Sequence, residues 1–327
     1  MEMLSCDQLL LDHDHRDEQS SDRTAAREDS STPLSDGHDC DNYVKYPVNT
    51  IRVMKRHPLK WPRQIVTLMG IPGVLPILPI TPTPISGFPD TVSISGIDYS
   101  IKEGHACTPK VVGMLPFYEL RHLVSILVEW CRRDRAVSLT TWPWPNELPL
   151  QVGDRYHHLT AFPVIMCGTA AFMAYIDAAH RSVLRGLFQG VPGDELFRRA
   201  AAAQNDDALD PYDFAILLAL AQDQKFGHIQ PEEGIYTTRI FYPSSTCEEM
   251  IFITARVPEE TISALENDEF GLRKVEIFKS TASLGRNEAW TKSEFLKALV
   301  TLMEEIILTA ASTVKPRGGF FGDDGGT

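Results

Sequence analysis

The clearest pattern of apolar and polar positions lies at "DPYDFAILLALAQDQKFG", residues 210–227. Asp210 stands at an N-cap position, Pro211 opens the first turn, Asp213 follows within it and Gly227 marks the stop, so a helix is predicted between them. The run Phe214 to Leu220 is apolar on nearly every side, which places this helix at the centre of a fold rather than on its surface. Further along, periods of two and of 3.6 alternate. They predict a strand at 235–242, a turn at "PSSTCEE", a strand at 250–257, a helix at 258–267, a strand at 274–279 and a last helix at 291–311. Thr291 and Glu294 have capping-box spacing for that last helix. The order β-β-α-β-α gives an α+β class, with a mixed or mainly antiparallel sheet and packed helices.

The first half is less regular. "FYELRHLVSILVEWCRRDR" places Leu120, Leu123, Val124, Leu127 and Cys131 at helical spacing, and "PGDELFRRAAAAQNDD" is rich in helix formers and ends at a turn over 205–207. "TVSISGIDYSI", residues 91–101, alternates around Gly96 and predicts a hairpin, while "AVSLTTWPWPNELP" supplies a strand. Prolines at 72, 76, 79, 82, 84 and 89 exclude regular helix or central strand from 71–90 and predict extended chain packed on its own domain. The basic run "RVMKRHPLKWPR", Arg52 to Arg63, reads as a solvated linker.

Charge divides the chain further. The net charge is −13, yet residues 1–44 hold 12 acidic groups against Arg16, Arg23 and Arg27, so most of it belongs to the N-terminus. That stretch has almost nothing apolar after Leu11, and it is expected to be a disordered acidic tail. A single α+β domain is expected over 45–313, with its core unit at about 155–313, a Pro-rich part at 45–150, and a disordered Gly-rich tail at 314–327. The remaining charges nearly balance, which argues against a nucleic-acid surface. No apolar run is long enough to span a membrane, no secretory leader is evident, and six scattered cysteines without a CxxC pair suit a reducing compartment. The expectation is a soluble protein of the cytoplasm or nucleus.

Candidate chemistry concentrates in "RYHHLTAFPVIMCGTAAFMAYIDAAHRSVL", where His157, His158, Cys167, Asp177 and His180 fall close together. Read as a strand, "YHHLTAFPVIM", followed by a helix, "TAAFMAYIDAAHRSVLRGLF", the segment sends His157 and His158 to opposite faces. One of the two histidines with Asp177 and His180, three apart on one helix face, would make a two-His, one-carboxylate set for a divalent metal such as zinc. The competing reading makes Met173, Ile176, Ala179 and Val183 the buried stripe, pairs Asp177 with Arg181 at i, i+4, and leaves Cys167 in the core. No phosphate-binding loop or GxSxG elbow is present, and Asp90, Asp98 and Lys102 fit a nuclease-type metal site only loosely.

The segments "RYHHLTAFPVIMCGTAAFMAYIDAAHRSVLRGL", "DPYDFAILLALAQDQ" and "IYTTRIFYPSSTCEEMIFITARVPEETISALEN" together resemble a group of uncharacterised proteins of filamentous ascomycete fungi over residues 155–267. The resemblance implies one structural unit and a fungal intracellular setting, and carries no catalytic residues. With no cofactor motif in view, the expected function is a non-catalytic protein-interaction or regulatory module with a protein partner. The alternatives are a metal-assisted hydrolase built on the His/Asp/His set and, third, a nuclease-like enzyme.

Overall fold

The computed structural model describes residues 49–81, 91–94, 97–100, 139–141, 147–161, 163–176, 181, 205–246, 248–269, 274–284 and 294–313. All of them belong to one compact unit, Asp41–Thr327. The expected helices in 117–135 and 192–204, both terminal tails, Thr291, Asp177 and His180 lie outside the described residues.

In chain order the elements are helix α1 (Asn49–Met54), a 3-10 turn (Pro58–Lys60), helix α2 (Gln64–Leu68), strands β1 (Thr91–Ile94), β2 (Ile97–Ser100), β3 (Leu139–Thr141), β4 (Glu147–Val152), β5 (Arg155–Thr160), β6 (Val164–Cys167) and β7 (Ala170–Tyr175), then helix α3 (Pro211–Phe226), strands β8 (Ile235–Pro243) and β9 (Glu249–Pro258), helix α4 (Glu259–Glu266), strand β10 (Glu276–Ser283) and helix α5 (Glu294–Thr313). A six-stranded sheet runs β10-β9-β8-β7-β6-β3. Its pairs are antiparallel except β7 with β8, which run parallel. The expected α+β class with a mixed, mainly antiparallel sheet is what the chain forms. β1–β2 and β4–β5 are separate hairpins.

Helix α3 begins as its sequence dictates. The Asp210 side chain accepts from the Tyr212 N–H at 2.8 Å, and Pro211 occupies the first turn, where no intrahelical donor is needed. The helix then runs between one sheet face and the β4–β5 hairpin, with Phe214 to Ala221 fully buried. Gly227 caps it with φ −72°, so the glycine is not needed for a left-handed turn. A Cβ at this position would stand 2.9 Å from the Ala170 Cβ, and close approach of helix to strand is what requires it. Ile251, Ile253, Ala255 and Val257 of β9, with Ile262 and Leu265 of α4, complete this side of the core. Helix α5 covers the other sheet face with Phe295, Leu299, Met303 and Ile306. There Tyr175, Phe241, Phe252 and Phe295 form a relay of ring contacts at 5.4, 5.9 and 6.1 Å. Arg239 of β8, buried on that face, reaches Glu305 of α5 at 2.6 Å.

Three expectations are corrected. Within the segment expected as a helix over 169–188, residues 170–175 are strand β7, while 177–180 and 182–188 lie outside the described residues. β7 lies inside the sheet with every side chain buried, and such a strand shows no alternation; its alanines then read as helix formers. Second, "YHHLTAFPVIM" is two strands in two sheets, β5 and β6, separated around Pro163, and Gly168 (φ +63°) and Thr169 form the two-residue turn into β7. Third, the basic run Arg52 to Arg63 is no solvated linker: it takes in the end of α1 and the whole 3-10 turn, and buries Met54, Pro58 and Trp61 while its arginines face solvent. The extended reading of the proline-rich segment holds for 71–81, where Ile71 and Leu75 are buried.

β7 also contains an irregularity that matters for its faces. Its register to β6 shifts between Ile165 and Met166, leaving Phe172 as an extra residue. Ala171, Ala174 and Ile176 therefore face α3, and Ala170, Phe172, Met173 and Tyr175 face α5. Small residues beneath α3 let the helix sit close to the sheet. Among the described residues, no helix is long and apolar enough to cross a membrane.

Candidate functional site

β5 pairs with β4 so that His157 lies opposite Leu150 and His158 opposite Pro149. Strand alternation separates the two histidines as expected: His157 is 9% exposed, whereas the His158 side chain is 65% exposed, its Nδ1 3.4 Å from Glu147 Oε2. The structure places His157 and His158 on different surfaces, and Asp177 and His180 lie outside the described residues. No group of three or more His, Cys, Asp and Glu side chains is placed to hold a metal among the described residues. Asp98 lies on β2, while Asp90 and Lys102 are outside the description. Cys167 is buried against the α5 face, and burial pushes its thiol pKa up, the reverse of an activated nucleophile.

His157 meets a residue that the sequence reading passed over. The His57 ring stands edge-on to it, centroids 5.8 Å apart and planes at 79°. His57 caps the 3-10 turn, its Nδ1 accepting from the Leu59 N–H at 3.3 Å, and the ring also hydrogen-bonds the backbone of His158. His157 in turn hydrogen-bonds the backbone of Lys55. Its Nε2 is buried with no partner among the described residues. These reciprocal bonds clasp the 55–59 stretch to β5. Burial pushes both imidazoles below the ordinary histidine pKa, helped by Lys60 at His57 and by His57 and Arg155 at His157. Beside them Lys55 bridges Asp268 at 2.6 Å and Asp154 at 3.3 Å. Gly153 turns the hairpin there at φ +58°, a left-handed conformation that favours glycine, and a Cβ would also stand 3.1 Å from Lys55 Cε.

A second polar set surrounds α3. The Gln222 amide accepts from the Gln151 N–H and donates to the Gln151 carbonyl, both at 2.8 Å, taking the place of a neighbouring strand. The Tyr212 hydroxyl treats Thr160 in the same way, at 2.9 and 3.1 Å. Asp223 accepts from the Ala171 N–H at 2.6 Å, and Gln224 donates to the Thr237 carbonyl at 3.1 Å. Near the start of α3, Arg181 is buried and bonded to the fully buried Asp213, and its guanidinium lies 5.1 Å over the Tyr242 ring. Burial and Asp213 push the Tyr242 hydroxyl far up, so it stays protonated and offers no base. Both polar sets serve the fold, satisfying backbone groups that strand pairing leaves open.

One surface has no such internal role. Chain 76–78 lies beside β10: the Lys279 N–H donates to the Pro76 carbonyl at 2.9 Å, the Leu78 N–H donates to the Lys279 carbonyl at 2.8 Å, and the Ser280 hydroxyl bonds the Leu78 carbonyl. Ile77 and Lys279 form a parallel bridge. With its backbone fixed, this strap holds Val74, Ile77 and Leu78 outward at 72%, 80% and 45% exposure.

No protein-family model, curated protein or solved structure matches the chain. The strap therefore has to be judged by its own chemistry. The signal that finds it is the proline spacing 76, 79 and 82, the three-residue repeat of one polyproline II face.

Proposed function

We propose that the protein is a non-catalytic interaction module whose contact surface is the strap over 73–81. The observation that carries this reading is the outward display of Val74, Ile77 and Leu78 on a backbone tied to β10. Isolated exposed aliphatics are ordinary, but three within five residues on an ordered sheet edge form a preorganised apolar contact. Prolines at every third position suit a partner with an aromatic-lined groove that reads extended, proline-rich chain. The prolines also prevent the edge from extending into a further strand, which keeps the contact to side-chain recognition.

The test compares proteins retained from native cells by the full chain and by the variant Ile77→Asp with Leu78→Asp. A discrete partner should fall by about tenfold with the strap variant, since losing two apolar contacts of this size costs more than about 1.4 kcal/mol. An exposed control change, Phe226→Ser, should leave the same partner bound. A retained set that is identical for the native chain and the strap variant would overturn the reading.

A further inference from the structure

We infer that His57 and His157 form a pH-sensitive latch, which holds residues 49–75 on the β4–β5 hairpin while both rings are neutral and releases them when the rings protonate. The inference does not depend on the strap reading. It rests on how each ring is held. His57 caps the 3-10 turn with the Nδ1 lone pair, so a proton on Nδ1 removes the bond from the Leu59 N–H. His157 has its Nε2 buried with no acceptor among the described residues, so a proton there places an unsatisfied charged donor inside the protein. Protonating both rings adds repulsion between imidazoles whose centroids are 5.8 Å apart.

The surrounding charges favour the same outcome. Lys60 lies near His57 in its own turn, and Arg155 lies near His157 on β5; His158 and its neighbour Glu147 of β4 are on the opposite surface of the hairpin. Lys55, at the end of α1, is engaged by Asp154 of the hairpin turn and Asp268 beyond α4. Lys55 holds the Asp154 carboxyl below its usual range, so Asp154 stays ionised where histidines titrate and remains occupied with Lys55. Folding favours neutral His57 and neutral His157, burial being the first cause for each. The latch is therefore complete above the ordinary histidine pKa of 6.5, and it loosens as pH falls from there through the lower folded-state values.

What the latch releases is short of local stability. α1 has 6 residues, α2 has 5 and the 3-10 turn has 3, each too short to persist alone. They are held by Met54, Trp61, Ile65, Val66 and Met69 in the core beneath α3.

Hydrogen exchange on the full chain, corrected for intrinsic rates, tests this at about pH 7.5 and about pH 5.5, either side of the histidine range. Amides of 54–69 should lose protection by about tenfold more than amides of α3, the change that one unit of protonation linkage gives. His57→Asn keeps a capping oxygen without a titrating ring, and His157→Phe keeps an aromatic ring without nitrogen. Together they should hold the acidic protection of 54–69 near its neutral level. Protection of α3 at about pH 7.5 certifies folding; if the Phe variant fails that check, the native chain and His57→Asn alone decide. Equal loss in 54–69 and α3, or an unchanged acid response in the variants, would overturn the latch.

Discussion

At the scale of single residues, the buried Asp213 and the close Gly227 make the sharpest demands. Asp213→Ala leaves Arg181 buried without its carboxylate, and stability should fall by about 3 kcal/mol or more in denaturant unfolding. Arg181→Met in the same chain should recover part of that loss, because the buried charge goes with it. Gly227→Ala should cost about 1–3 kcal/mol through the clash with Ala170. Gly234→Ala meets no neighbour within 4 Å and has only its φ of +77° to oppose it, so its cost should be nearer about 1 kcal/mol. Asp223 has a pH signature of its own. Burial raises its pKa, so the native state holds its proton longer than the unfolded chain, and stability contributed at low pH is lost as pH rises through the raised value. Asp223→Asn can still accept from the Ala171 N–H, and should stabilise the protein at neutral pH relative to its effect under acid conditions. Unfolding curves at the two pH values read the difference.

Among elements, legibility follows how local the determining contacts are. Helix α3 was readable because Asp210, Pro211 and Gly227 bound it by adjacent chemistry. Strands β8 and β9 were readable within a residue or two, since each alternates or abuts a turn. β7 was not, because burial on both faces removes the period that distinguishes strand from buried helix. His57 escaped notice for a related reason: its partner is a hundred residues away in β5, and nothing beside it in "KRHPLK" signals that contact. The split of His157 from His158 was legible, being simple strand geometry. The side-chain surrogates on α3 were not, for Gln222 and Gln224 look in sequence like an ordinary polar helix end. Gln222→Leu should cost about 1–3 kcal/mol by stranding the Gln151 backbone groups, a larger loss than substituting an exposed glutamine. Equilibrium unfolding of the variant checks it.

For the molecule as a whole, the sheet separates two cores, one enclosing α3 and one beneath α5. The relay Tyr175, Phe241, Phe252, Phe295 links three strands to α5, and Phe252→Ala should cost about 3–5 kcal/mol. That loss should appear as a single shifted unfolding transition if the two cores melt together. On the surface, the strap and the latch belong to one continuous stretch, so the segment that ends in the exposed Ile77 begins at the histidine clasp.

The extra residue in β7 bears on which length changes the chain can absorb. Phe172 and Met173 both face α5, so removing either one restores strict alternation and leaves Ala171, Ala174, Tyr175 and Ile176 on their present sides. Removing Ala171 or Ala174 also restores alternation, but it turns Phe172 or Met173 into the vacated place beneath α3, where only a small side chain lies now. β7 thus tolerates the loss of one residue at two adjacent positions and at neither alanine, an asymmetry that a set of single-codon deletions would expose.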